Sequence, residues 1–67
     1  MTFEETIKAI RKQRALSQEA FSRELGVSFS TVNRWENGKA KPNYDTLRRI
    51  SNYCDLYSIK IRIDSLL

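Results

Sequence analysis

The sequence predicts an all-α domain, a compact bundle of four to five short helices. Apolar residues recur at helical spacing, as in Phe3, Ile7 and Ile10, or Leu47, Ile50 and Cys54. Each such stretch opens on a residue suited to capping a helix N-terminus, namely Thr2, Ser17, Ser28 and Asn43. Breaks at Leu16-Ser17, Gly26, Asn37-Gly38 and Pro42 separate the stretches, so the connections are only a few residues long.

Thr2 followed by Glu5 reads as a capping box, and places the first helix at about residues 3–14. The second helix follows Ser17 and runs to about Glu24, burying Phe21 and Leu25 beside the small residues Ala20 and Ser22. Gly26 ends it where a left-handed residue is needed. Ser28 caps a third helix over about 28–36, with Val32 and Trp35 turned inward. Its other face carries Ser30, Asn33 and Arg34, an unusual mixture for a surface that only meets water. Asn43 caps a fourth helix, one side of which is lined by Tyr44, Leu47, Ile50 and Cys54.

Sixty-seven residues make one domain at most. A chain of this length buries only roughly 60% of its unfolded surface, which leaves little room for a deep cleft. Histidine is absent and Cys54 is the only cysteine. The commonest general base, an intrachain disulfide and a cysteine metal cage are thereby removed. No glycine-rich phosphate loop is present, so neither an enzyme nor a bound metal or cofactor is expected. The opening MTFEETIKAI carries acids where a signal peptide needs bases, and no stretch approaches a membrane span. A cytoplasmic protein without a membrane partner is expected. The net charge of +4 favours an anionic partner. Lys8, Arg11, Lys12 and Arg14 crowd one segment, and Arg34, Lys39, Lys41, Arg48 and Arg49 another.

A short second helix, a turn containing glycine and a third helix with a polar outer face make a helix-turn-helix arrangement. In that arrangement the polar face enters the DNA major groove. The run LSQEAFSRELGVSFSTVNRWENGKAKPNYDTL, with its LGVS and WENGKAKP blocks, resembles the phage-repressor (Cro/repressor, XRE) helix-turn-helix family over about residues 7–56. The resemblance implies a lambda-repressor-like DNA-binding domain over residues 1–56, with its helix-turn-helix core at 17–36, and an extension over 57–67. It also implies double-stranded DNA as partner, homodimerisation, and transcriptional regulation, repression being the expected form.

Family roles carry over by position. Phe29, Ser30, Asn33 and Arg34 match positions facing the bases. Gln18, Ser28, Thr31, Asn37 and Lys39 match positions on the phosphate backbone, with Lys41 as a looser electrostatic helper. Arg11 and Glu36 match a structural ion pair across the domain; the other reading of Arg11 is a further phosphate contact.

Two features depart from the family pattern. Phe29 stands where a polar or basic residue is usual; it can meet a thymine methyl or pack down onto the second helix. In the tail, Ile59, Ile61 and Ile63 alternate with Lys60, Arg62 and Asp64, the periodicity of a β-strand. Ile59, Ile63 and Leu66 would also fit one helix face. The strand reading makes Ile59, Ile61 and Ile63 a dimer interface formed by two antiparallel tails. A different class of function, an antitoxin-like or DNA-targeting module with a protein partner, is compatible with the same fold. A tail wrapped on another protein would distinguish it.

Overall fold

The computed structural model describes residues 2–61. Over that span the chain forms four helices, α1 (Phe3–Gln13), α2 (Gln18–Leu25), α3 (Phe29–Glu36) and α4 (Tyr44–Leu56). All four begin on the caps read from sequence. The Thr2 hydroxyl accepts from the Glu5 N–H at 3.2 Å, while the Glu5 carboxylate accepts from the Thr2 N–H at 2.9 Å. Ser17 accepts from the Ala20 N–H, Ser28 from the Thr31 N–H and Asn43 from the Thr46 N–H. Each such cap is worth ~1 kcal/mol.

The helices also end alike. After each, one residue turns left-handed: Ala15 (φ 55°), Gly26 (φ 76°), Gly38 (φ 71°) and Ser58 (φ 56°). The next N–H then reaches back five residues: Leu16 to the Arg11 carbonyl, Val27 to Ser22, Lys39 to Arg34 and Ile59 to Cys54, at 2.7–3.3 Å. This is the Schellman closure, which satisfies carbonyls the helix leaves free. Glycine adopts that conformation without a Cβ clash at residues 26 and 38, whereas Ala15 and Ser58 hold it at some cost.

Phe3, Ile7 and Ile10 of α1, Phe21 and Leu25 of α2, Val32 and Trp35 of α3, and Leu47, Ile50, Tyr53 and Cys54 of α4 form one core. Phe3 meets Trp35 edge-on with centroids 5.9 Å apart, and Phe21 meets Tyr53 in the same way at 5.5 Å. Such pairs add ~0.5–1.5 kcal/mol to the burial itself.

Two expectations are corrected. Tyr44 is exposed rather than inward, and Tyr53 takes a core position instead. The buried stripe of α4 runs from Leu47 through Cys54 and Ile50 to Tyr53. At 3.6 residues per turn Tyr44 falls about 60° beyond its opposite edge.

The second correction concerns the tail. Residues 57–61 form no strand. Ile59 is buried in the chain's own core and so does not present the apolar face expected of a dimer strand, while Ile61 is partly buried against that core. The Schellman closure is the physical reason: it directs the residue two beyond the cap back onto the last turn, here Ile59 onto Cys54. Ile63 lies outside the described residues.

Candidate nucleic-acid interface

The turn between α2 and α3 is only three residues long, and the Gly26 closure folds α3 back across α2. Val32 and Trp35 anchor α3 from beneath, at 0% and 2% exposure. Ser22 is buried on α2, and its hydroxyl donates to the Glu19 carbonyl at 2.7 Å, so this polar group enters the core without an unmet bond.

The opposite face of α3 is open. Phe29, Ser30 and Arg34 are exposed, and Thr31 and Asn33 are half-buried. Phe29 and Asn33 lie four residues apart in one row, Ser30 and Arg34 in the next, so the four base-facing candidates share one outward arc. Arg34 has no acidic partner among the described residues. Phe29 is half exposed and is not one of the buried core residues.

Beneath this arc a chain of hydrogen bonds crosses three helices. Arg11 Nε donates to Glu36 Oε2 at 2.7 Å and Nη2 to Oε1 at 2.9 Å, while Nη1 donates to the Leu16 carbonyl at 3.0 Å. Gln18 Nε2 donates to Glu36 Oε1 at 3.1 Å, and Gln18 Oε1 accepts from Asn33 Nδ2 at 3.0 Å. Asn37 Nδ2 donates to both the carbonyl and the side-chain oxygen of Asn33. The Glu36 side chain is 1% exposed. Burial pushes its carboxyl up, but the bonds from Arg11 and Gln18 outweigh burial and hold it below the usual carboxylate range. The guanidinium of Arg11 is held on its proton by the same contact with Glu36.

The geometry gives several phosphate candidates more specific surroundings. Gln18 directs its side chain inward to Glu36 and Asn33, but as the first residue of α2 it leaves its backbone N–H at the helix's positive end. The Ser28 hydroxyl is shared with Thr31 at 2.8 Å and Ser30 at 3.2 Å. Lys39 and Lys41 are exposed after α3, and Asn37 is exposed at its C-cap. The basic segment of α1 is not a single patch. Arg11 faces Glu36, whereas Arg14 faces away from that network, with Nε donating to the Tyr53 hydroxyl at 2.9 Å and Nη2 to Glu24 at 3.0 Å. Tyr53 in turn donates to Glu24 at 2.7 Å, and the Arg14 guanidinium lies 3.7 Å from the Tyr57 ring centroid. Sequence spacing offers no signal for this second cluster, since the hydrogen-bond partners of Arg14 lie 10 and 39 residues away.

A short anchored helix, a left-handed turn and a second helix with its polar arc outward are the elements of a helix-turn-helix unit. A model of the helix-turn-helix family matches residues 7–61. The chain belongs to that family, in its phage-repressor form. It is 34% identical over its whole length to the HTH-type transcriptional activator BcrR of Enterococcus faecalis, of which it covers 30%. Over 54 residues, 81% of the chain, it is 37% identical to the uncharacterised HTH-type transcriptional regulator YqaE of Bacillus subtilis (strain 168), covering 47% of that protein. The chain thus spans less than half the length of either curated relative. Its structure is similar to the solution structure of the DNA-binding domain of the P22 C2 repressor, with a TM-score of 0.75 and 27% identity over 98% of this chain and 80% of that one. The chain is thus a helix-turn-helix domain of the kind carried by these transcriptional regulators. Among the described residues no helix is long and apolar enough to cross a membrane.

Proposed function

We propose that this domain binds double-stranded DNA sequence-specifically by laying α3 in the major groove. One observation carries the reading: α3 is held from below by Val32, Trp35 and Glu36 while Phe29, Ser30, Asn33 and Arg34 share its open arc. Arg34, with no acidic partner among the described residues, is the candidate for bidentate donation to guanine O6 and N7. Asn33 suits adenine: Gln18 and Asn37 engage one of its N–H groups and its oxygen, and a second N–H and a second lone pair stay uncommitted. The free N–H groups at the start of α2, with Ser28, Thr31, Asn37, Lys39 and Lys41, flank that arc as phosphate contacts. In this reading residues 1–56 form the DNA-binding body and Ile59 of the 57–67 extension latches onto it.

One recognition helix covers too few base pairs to select a genomic site, so two copies bind half-sites about 34 Å apart. Ile59 belongs to its own core and is not part of that interface. The regulator acts in the cytoplasm, as a repressor that occludes the promoter it occupies. Likeness to a repressor's DNA-binding domain supports that direction, while the BcrR relative carries the name of an activator. Selection of bound duplexes from a random pool tests DNA reading. A two-fold related consensus is expected, and its promoter context in a reporter assay should give lower output with the protein present. A pool that does not enrich refutes sequence-specific binding, and raised output refutes repression.

A further inference from the structure

Phe29 is the one outward residue of α3 whose chemistry hydrogen bonding to bases does not explain. It stands half exposed, at 50%, on the first turn of α3 and on the same row as Asn33. It is the largest apolar side chain on that arc, and it is not one of the buried core residues. The hydroxyls around it are bonded among themselves, Ser28 with Ser30 and with Thr31, so the first turn presents a phenyl ring flanked by groups that already have partners. A phenyl ring makes no hydrogen bond to a base edge. The major groove offers it one apolar handle, the methyl group on C5 of a pyrimidine. Thymine carries that group, and 5-methylcytosine carries the same one.

We propose that Phe29 packs against a pyrimidine C5-methyl group in the major groove, so that the domain distinguishes a methylated pyrimidine from its unmethylated counterpart. The proposal rests on α3 being the recognition helix. Its row partner Asn33 adds a second constraint, because an amide one helical turn away prefers adenine, which favours an A·T pair beside the methyl. Removing one buried carbon of this kind is expected to weaken binding about four-fold, the equivalent of ~0.8 kcal/mol.

The test uses the full chain and two random duplex pools, one unmodified and one with 5-methyl-dC in place of every dC. From the unmodified pool, each thymine of the enriched site is replaced in turn by deoxyuridine, which lacks only the methyl. A single position that costs about four-fold, with the cost abolished in Phe29→Ser and retained in Phe29→Leu, assigns the contact to thymine. From the second pool, each 5-methyl-dC is replaced by dC; a four-fold loss there with the same dependence on Phe29 assigns it to 5-methylcytosine. The half-exposed position predicts folded variants, and a melt of Phe29→Leu verifies this for the variant that must keep the contact. Binding independent of every methyl in both pools, or methyl effects that persist in Phe29→Ser, overturns the proposal while leaving DNA reading intact. If neither pool enriches, DNA reading itself is refuted, and the role of Phe29 with it.

Discussion

Replacing Arg11 with methionine should remove most of the domain's stability. The guanidinium makes three bonds, two to Glu36 and one to the Leu16 carbonyl. Without it, the Glu36 carboxylate stays in a site that exposes only 1% of the side chain, with Gln18 as its remaining donor. Breaking a buried pair from one side costs ~3–5 kcal/mol. A chain of 67 residues has about 3–10 kcal/mol of stability in all, at roughly 0.05–0.15 kcal/mol per residue. Urea melts followed by circular dichroism should therefore show Arg11→Met with a far lower midpoint, or unfolded at 25 °C. The double change Arg11→Met with Glu36→Leu should recover a large part of the loss, because no charge is left without a partner.

The pH dependence carries a sign that checks the cause. In the parent protein Glu36 has a lowered pKa, so its contribution is present above the ordinary glutamate value and lost as pH falls through the folded value. In Arg11→Met burial acts on Glu36 opposed only by Gln18 and more weakly by Lys8, which raises the folded pKa and makes protonation relieve the penalty. The stability gap between the two proteins should narrow on acidification from pH 7. Unchanged melts for Arg11→Met with lowered DNA affinity would refute the reasoning and make Arg11 a phosphate contact.

Two further outcomes follow from the same geometry. Ala15 sits left-handed at φ 55°, which costs an alanine ~1–2 kcal/mol, partly offset in glycine by chain entropy of ~0.5–1 kcal/mol. Ala15→Gly should thus raise the melting temperature by a few degrees; a lower one contradicts the Schellman strain. Tyr53 bonds Arg14 and Glu24, and burial first, then Glu24, pushes its hydroxyl up to about 12. Because that value is raised over the unfolded one, its contribution holds below about pH 10 and is lost as pH rises towards 12, and Tyr53→Phe should abolish this alkaline loss.

The parts of this fold legible in the sequence are those determined within one helical turn. A cap at Ser17, Ser28 or Asn43 acts on the N–H three residues on, so its residue type announces it. Gly26 and Gly38 announce left-handed closures for the same local reason. Ala15 and Ser58 adopt the identical closure without glycine's signature, so their residue types do not announce it. The tail misled for a related reason: alternation of Ile59 and Ile61 resembles a strand, yet one left-handed residue before Ile59 turns it into the core. At the interface, which residues of α3 point outward follows from helical periodicity. The link from Gln18 to Asn33 spans 15 residues and depends on the angle at which α2 meets α3, which spacing does not encode. Charge alone groups Arg14 with Arg11, but they lie three residues apart, near the end of α1, with different acids waiting on α3 and α2.

The central claim is that the open arc of α3 reads bases while the residues beside it hold the backbone. Its most direct measurement is the affinity of Arg34→Ala and Lys39→Ala for an enriched site and for random duplexes across a salt series. Arg34→Ala is expected to lose ~1–3 kcal/mol on the enriched site, with relaxed preference at one base pair and a much smaller loss on random DNA. Lys39→Ala is expected to weaken all duplexes alike and to reduce the salt slope by about one unit. Equal losses on specific and random DNA for Arg34→Ala would contradict the account.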